Sequence, residues 1–284
     1  MNGLVVEGGA SRTYFAVGVI DAMMEEDIPF DYLGGASAGI SNAMNYATGQ
    51  IGRGIEIGTT QLPKKEYSGL RHLFNPKNRS LYNIDYVFRR VPDELVPYDY
   101  EKFNEYKGIA EAAVTNMETG KAEYIKIEKP ENGWNVLVAS CSLPLMFPAA
   151  VINGKKYMDG GIADSVPFRR AIDVGCDKLV VILSRERSYI KEKGKGETVS
   201  ARLFGKYPEF SKALKNRSVM YNSQREELFA LEKDGKAFVI APADTHGWRR
   251  TENNPQKIKE IYDEGYKIGK EMIPSLREYL GIKV

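Results

Sequence analysis

The sequence predicts an α/β fold, and three observations carry that prediction. Leu4-Val5-Val6 is an apolar run entering a Gly8-Gly9 turn, after which Tyr14 to Met24 reads as a helix with Phe15, Val19, Ala22 and Met23 at helical spacing. The same unit follows at once: Phe30, Tyr32 and Leu33 lead into Gly35-Ala36-Ser37-Ala38-Gly39, and a second helix continues to Tyr46. Further on, Leu179-Val180-Val181-Ile182-Leu183 is an unbroken apolar run, as expected of a parallel strand covered on both faces. The chain has 284 residues, 43% of them hydrophobic, and no low-complexity linker, so a single domain over 1–284 is expected.

The remaining elements follow in order. Residues 61–104 are irregular, mixing Leu70, Leu73, Phe74 and Leu81 with Lys64, Lys65, Arg71, Lys77 and Arg79. This insertion is read either as an amphipathic cap over Ser37 that can rest on a lipid surface, or as a surface insertion with its apolar residues packed downward. Ile109 to Ile127 alternates around Met117-Glu118-Thr119-Gly120 and reads as a β-hairpin. Asn153-Gly154 between apolar flanks predicts a second hairpin, whose returning strand ends at Asp159. From Arg185 to Arg217 there are ten Lys or Arg against four Glu, either a surface for anionic headgroups or a solvated helical face. Ala237 to Ala241 is strand-like. Within a C-terminal helical part over about 198–284, Ile258, Ile261, Tyr262, Tyr266, Ile268 and Met272 form a core-facing stripe.

Chemistry concentrates at the turns. The pattern G-x-S-x-G places a serine on a sharp strand-to-helix turn, with its hydroxyl pushed outward and the helix N-terminus behind it. Gly35 and Gly39 let the neighbouring backbone pass close to Ser37. Upstream, the Gly8 to Ser11 turn presents backbone N–H groups that suit an anion or an oxyanion. A dinucleotide site fits poorly there, because G-x-G-x-x-G is not met. Asp159-Gly160-Gly161 sets a carboxylate on a rigid strand end, with two glycines allowing close approach.

The order Gly8-Gly9-x-x-Arg12, then Gly35-x-Ser37-x-Gly39, then Ser142-x-Pro144-x-x-Phe147-Pro148 and Asp159-Gly160-Gly161 resembles the bacterial patatin-like phospholipases. The resemblance covers Leu4 to about Pro167 and thins beyond Ser184, although Tyr262-Asp263-Glu264-Gly265-Tyr266 is similar to the terminal helix of one bacterial branch. It implies a three-layer α/β/α sandwich with a mainly parallel central sheet, and hydrolysis of lipid acyl esters by a Ser-Asp dyad. Ser37 is then the nucleophile and Asp159 its base. The N–H groups of Gly9 and Ala10, joined by Gly8 and Ser11, form the oxyanion hole, and Arg12 braces that loop. Two positions depart from the family pattern: Ala10 stands where a third glycine is usual, and Thr13 where a glycine usually follows the arginine. A serine hydroxyl needs a base to take its proton, and an aspartate serves when desolvated or hydrogen-bonded to that hydroxyl.

Two other readings stand beside this one. His246 gives the chain order Ser37, Asp159, His246 of α/β-hydrolases, although only one strand and one helix precede Ser37. Alternatively, Ala10 and Thr13 mark a non-catalytic lipid- or acyl-binding protein on the same fold. His72 reads as a solvated loop residue.

Composition narrows the partners. A formal net charge of +2 gives no drive toward nucleic acid. Cys141 and Cys176 imply no disulfide framework, and two cysteines and two histidines give no zinc spacing, so neither metal nor cofactor is expected. Cys141 is read as a packing residue. The N-terminus lacks a signal-peptide pattern and no apolar run spans a bilayer, which points to a cytoplasmic protein, peripheral to the membrane at most. The sequence does not determine oligomeric state.

Overall fold

Leu4 and Val6 point to one face of their strand and Val5 to the other, and all three are fully buried, so helices must cover both faces. The computed structural model describes residues 1–76, 79–128 and 130–282. Its strands are β1 (Asn2–Val6), β2 (Tyr32–Ala36), β3 (Ile109–Asn116), β4 (Ala122–Lys126), β5 (Ala150–Ile152), β6 (Lys155–Asp159), β7 (Lys178–Ile182) and β8 (Ala237–Ile240). They form one eight-stranded sheet in the order β5-β6-β3-β2-β1-β7-β8, with β4 also paired to β3. The pairings β1–β2, β1–β7, β2–β3 and β7–β8 are parallel, and both expected hairpins, β3–β4 and β5–β6, are antiparallel. β6 returns antiparallel to the end of β3, which carries Asp159 to Val114 and inward beside β2.

The helices are α1 (Tyr14–Glu25), α2 (Ala38–Ala47), α3 (Arg53–Glu56), α4 (Tyr100–Glu105), α5 (Pro130–Cys141), α6 (Phe168–Val174), α7 (Lys195–Leu203), α8 (Pro208–Lys233) and α9 (Pro255–Leu280). Residues of α1, α2, α5 and α9 share one core with Leu4, Val6, Leu33, Val180 and Ile182. Residues of α6 and α8 share the other with Val5, Tyr32, Leu179 and Val181. The result is a three-layer sandwich with a mainly parallel sheet, as expected.

The C-terminal stripe lies against α1. Ile258 and Leu276 have no exposed surface, and each contributes about 1.5–3 kcal/mol by burial. At the crossing of the two helices, a Cβ on Gly18 would lie 2.2 Å from the Tyr262 carbonyl oxygen, so only glycine lets the backbones meet. Tyr262 donates to Asp21 at 2.9 Å and Lys270 pairs with Glu25 at 2.8 Å, fixing the register.

The insertion divides between the two expected readings. Leu62, Phe88, Val91 and Val96 pack downward, whereas Leu70 and Phe74 stand 70% and 84% exposed, with Lys64, Lys65, Arg71 and Arg79 also exposed. Lys77 lies outside the described residues. Within the basic run from Arg185 to Arg217, Arg187 pairs with Glu232 and Lys212 with Glu209 at the surface, while Arg185 and Arg217 line an inner chamber. Among the described residues, no helix is long and apolar enough to cross a membrane.

Candidate active site

Ser37 occupies the turn between β2 and α2 with φ 55° and ψ −136°, a strained conformation for a residue with a side chain. Close packing sustains it. A Cβ on Gly39 would sit 2.5 Å from the carbonyl oxygens of Val6 and Glu7, and one on Gly35 would sit 2.8 Å from that of Val6. A hydrogen bond fixes the turn as well: the Ser37 N–H donates to Ser140 Oγ at 2.8 Å, and that hydroxyl donates to the Ala113 carbonyl at 2.7 Å. Ser140 is fully buried at the end of α5, so the nucleophile candidate is tied to β3 through a single side chain.

Asp159 ends β6 and is held from several directions. Its N–H donates to the Ser142 carbonyl at 2.8 Å, and its own carbonyl accepts from Thr115 Oγ1 at 2.8 Å. Oδ1 accepts the Gly161 N–H at 2.8 Å, whereas Oδ2 is buried without a hydrogen-bond partner. A Cβ on Gly160 would meet the Ala113 carbonyl oxygen at 2.1 Å, which makes glycine necessary beside the carboxylate. Burial raises the Asp159 pKa above the ordinary carboxylate range. The charges of Arg217 and Arg250, the Ser37 hydroxyl and the Gly161 N–H oppose that rise. Ser37 and Asp159 line the same chamber.

The loop after β1 accounts for its N–H groups one by one. Gly8 donates to the Ser165 carbonyl at 3.4 Å and Ser11 to the Arg250 carbonyl at 3.1 Å, so these two are engaged within the protein. Among the described residues, Gly9 and Ala10 carry the N–H groups without such partners. Ala10 adopts φ 49°. Thr13 Oγ1 donates to the Ala10 carbonyl at 2.7 Å and accepts from Asn42 Nδ2 at 2.7 Å. The two departures from the family pattern are therefore bonded to each other. Arg12 does not brace the loop as expected. Its side chain makes no hydrogen bond among the described residues, its Nε is buried without a partner, and it faces the chamber that holds Ser37 and Asp159. Bracing falls instead to Thr13 and to Ser11, whose Oγ donates to the Glu252 carbonyl at 2.7 Å.

Ser37 stands between two spaces of opposite character. On one side is an apolar cavity of about 130 Å³, in which the insertion supplies Leu62, Tyr67, Tyr82, Val87 and Phe88 opposite Leu143 and Phe147. On the other is a smaller polar chamber lined by Arg12, Arg185, Arg217 and Arg250 together with Glu7 and Asp159. Cys141 lines the apolar cavity with its sulfur 3.6 Å from Ser41 Oγ. Burial, then the Asp159 charge, pushes the Cys141 thiol up to about 12, so it stays protonated. His246 is exposed, lines neither space and makes no side-chain hydrogen bond among the described residues, so the structure does not assemble a Ser-Asp-His triad. His72 lies at the surface with Nε2 3.1 Å from the Lys65 carbonyl oxygen.

Several residues of the site carry no local sequence signal. Ser140 and Thr115 act through backbone groups far away in the chain, and Arg217 and Arg250 reach the chamber only because α8 and the segment before α9 return to the sheet.

The chain is similar to known proteins in sequence and in fold. The family model of the patatin-like phospholipases matches residues 4–172, and a domain of unknown function, DUF6363, matches residues 207–281. The chain is 27% identical over 189 residues to the uncharacterized protein YjjU of Escherichia coli (strain K12), covering 63% of this chain and 50% of that protein. It is 25% identical over 310 residues to Lysophospholipase NTE1 of Coccidioides immitis (strain RS), covering 99% of this chain and 18% of that protein. The chain thus spans about half or less of the length of these relatives. The crystal structure of VipD from Legionella pneumophila superposes with a TM-score of 0.51 at 16% identity, covering 96% of this chain and 67% of that one, a likeness of fold.

Proposed function

Because the chain belongs to the patatin-like phospholipase family, we propose that it is a serine acyl hydrolase that cleaves lipid acyl esters through Ser37 and Asp159. The observation that carries this reading is the buried, unpartnered Oδ2 of Asp159 in the chamber of a strained Ser37. As the Ser37 hydroxyl attacks the ester carbonyl, its proton passes to Oδ2, and the oxyanion takes hydrogen bonds from the Gly9 and Ala10 N–H groups. Collapse expels the alcohol, which takes the proton from Asp159 and leaves an acyl-Ser37. Water then gives its proton to the same carboxylate, attacks the acyl carbon, and releases the fatty acid as Ser37 Oγ recovers the proton. Gly161 holds Oδ1, so one oxygen is fixed and the other is free to carry protons.

The apolar cavity under residues 62–88 suits the acyl chain. Exposed Leu70 and Phe74 beside Arg71 suit transient docking of a cytoplasmic protein on a lipid surface. The segment matched by the domain of unknown function belongs to the same working unit, since β8 extends the sheet and α9 packs on α1. A non-catalytic acyl-binding role gains no support from Ala10, because alanine retains the N–H that the loop offers.

A fluorophosphonate probe tests the reading. It is expected to label wild type once, at Ser37, and to leave Ser37→Ala unlabelled. A folded wild type that does not react would remove the proposal.

A further inference from the structure

The polar chamber beside Ser37 holds more positive charge than the hydrolytic chemistry needs. Arg12, Arg185, Arg217 and Arg250 line it, and among the described residues none of the four lies within ion-pair distance of a carboxylate. The Nε atoms of Arg12, Arg185 and Arg250 are buried without hydrogen-bond partners. Among the described residues, two of the side chains are hydrogen-bonded within the protein: Arg217 Nε donates to the Gly161 carbonyl at 2.7 Å, and Arg185 Nη1 donates to Thr245 Oγ1 at 2.7 Å. Burial lowers the Arg250 pKa, helped by repulsion from Arg217 and Arg12, to about 10. Burial and repulsion from Arg185 lower that of Arg12. Guanidiniums grouped in one partly buried chamber destabilise one another, and an anion among them removes that cost.

The charge and shape of an anion that fits this chamber can be read from its walls. Four guanidiniums face two carboxylates, Glu7 and Asp159, leaving an excess of two positive charges before Lys191 is counted. Glu7 is committed elsewhere, accepting from the Ser184 N–H at 2.8 Å and the Tyr221 hydroxyl at 2.7 Å. A carboxylate brings one charge and two oxygens, too few for this set. A phosphomonoester brings close to two charges and three oxygens, and planar guanidinium forks pair with it two bonds at a time. A phosphodiester carrying an ammonium headgroup would bring a further cation toward the same arginines.

We propose that this chamber is a phosphate subsite, and that the substrate is an acyl ester of a small phosphorylated alcohol whose phosphate is otherwise unesterified. The proposal rests on the hydrolase reading above: the acyl chain occupies the apolar cavity, the ester carbonyl lies at Ser37, and the phosphate sits in the chamber on the other side. It also gives the C-terminal segment a task, since Arg217 and Arg250 both lie within residues 207–281. That segment closes the chamber and sets headgroup selectivity.

The test uses the full chain and three single-chain substrates with the same acyl group: an acylglycerol phosphate, the corresponding acylglycerol, and the corresponding glycerophosphocholine. Arg250→Gln, Arg12→Gln and Arg250→Lys are compared with wild type, and binding of inorganic phosphate is followed by calorimetry, which needs no turnover. The expected result is a kcat/KM at least tenfold higher for the phosphate ester than for either other substrate. That selectivity ratio should fall at least tenfold in each Gln variant and recover in part in Arg250→Lys. Equal rates on all three substrates, with no phosphate binding, would overturn the subsite and leave the hydrolase reading intact. Phosphate binding that depends on Arg250 without any preference for the phosphate ester would assign the chamber to free phosphate and overturn the substrate class. Phosphate binding without hydrolysis of any ester would instead remove the hydrolase reading, and the substrate class with it.

Discussion

Ala10 and Thr13 form a coupled pair, and a double-mutant cycle reads that coupling. With φ 49°, Ala10 carries the penalty of an L-residue in left-handed backbone, about 1–2 kcal/mol, which glycine avoids. Glycine in turn gains unfolded-state freedom that weakens the fold by about 0.4–1 kcal/mol. Ala10→Gly therefore comes out between neutral and about 1.5 kcal/mol more stable. Thr13→Val keeps the branched shape but removes the hydroxyl that donates to the Ala10 carbonyl at 2.7 Å. It also strips Asn42 Nδ2 of its acceptor, and the unpaired groups cost about 1–3 kcal/mol. Without the clamp, Ala10 relaxes out of its left-handed conformation and its N–H leaves the position proposed for the oxyanion. Loss of one such donor lowers kcat by about 100-fold or more. In the Ala10→Gly background that relaxation has no driving force, so Thr13→Val should lower kcat much less. Stability is measured by urea denaturation and kcat with a p-nitrophenyl ester of medium chain length. Additive effects on kcat, or Ala10→Gly clearly less stable than wild type, would refute the clamp.

Three further outcomes follow from the same geometry. Burial raises the Asp159 pKa, so the folded state binds more protons than the unfolded chain between the ordinary value of 3.8 and the raised one, and stability falls as pH rises through that window. Asp159→Asn should therefore be inactive yet more stable than wild type at neutral pH, with a gap that closes as pH falls toward 3.8, while wild-type activity is lost on the acid side at a pH above the ordinary aspartate range; denaturation midpoints and kcat/KM against pH check both. Ser140→Ala orphans the Ser37 N–H and the Ala113 carbonyl, which should cost about 1–3 kcal/mol and lower kcat while KM changes little. Leu70→Ser with Phe74→Ser should weaken binding to anionic phospholipid vesicles at least about tenfold in a sedimentation assay and leave hydrolysis of a soluble ester unchanged.

The sheet was legible wherever the local pattern had one physical solution. Leu179 to Leu183 had no polar side to expose, and Asn153-Gly154 supplied the tight turn that sends Asp159 back along β3. Ser37 and Asp159 were legible as candidates because each sits on a glycine-flanked turn that few other backbones form. The direction in which a long side chain points was not legible. Arg12 follows the Gly8 to Ser11 loop in sequence, and only the fold shows that its side chain faces the charged chamber. Arg185 and Arg217 were visible only as members of a basic run, and Arg250 gave no signal, because their grouping arises from contacts between distant elements. Residues 61–104 stayed ambiguous for a related reason: one stretch both lines the cavity, through Leu62 and Phe88, and exposes Phe74, so neither simple amphipathic pattern describes it.

The most direct measurement is hydrolysis of medium-chain p-nitrophenyl esters by wild type, Ser37→Ala, Asp159→Asn and His246→Ala, each shown to be folded. Activity is expected to disappear in the first two variants and to persist in His246→Ala. Loss of activity in His246→Ala, or its survival in Asp159→Asn, would contradict the Ser37–Asp159 assignment.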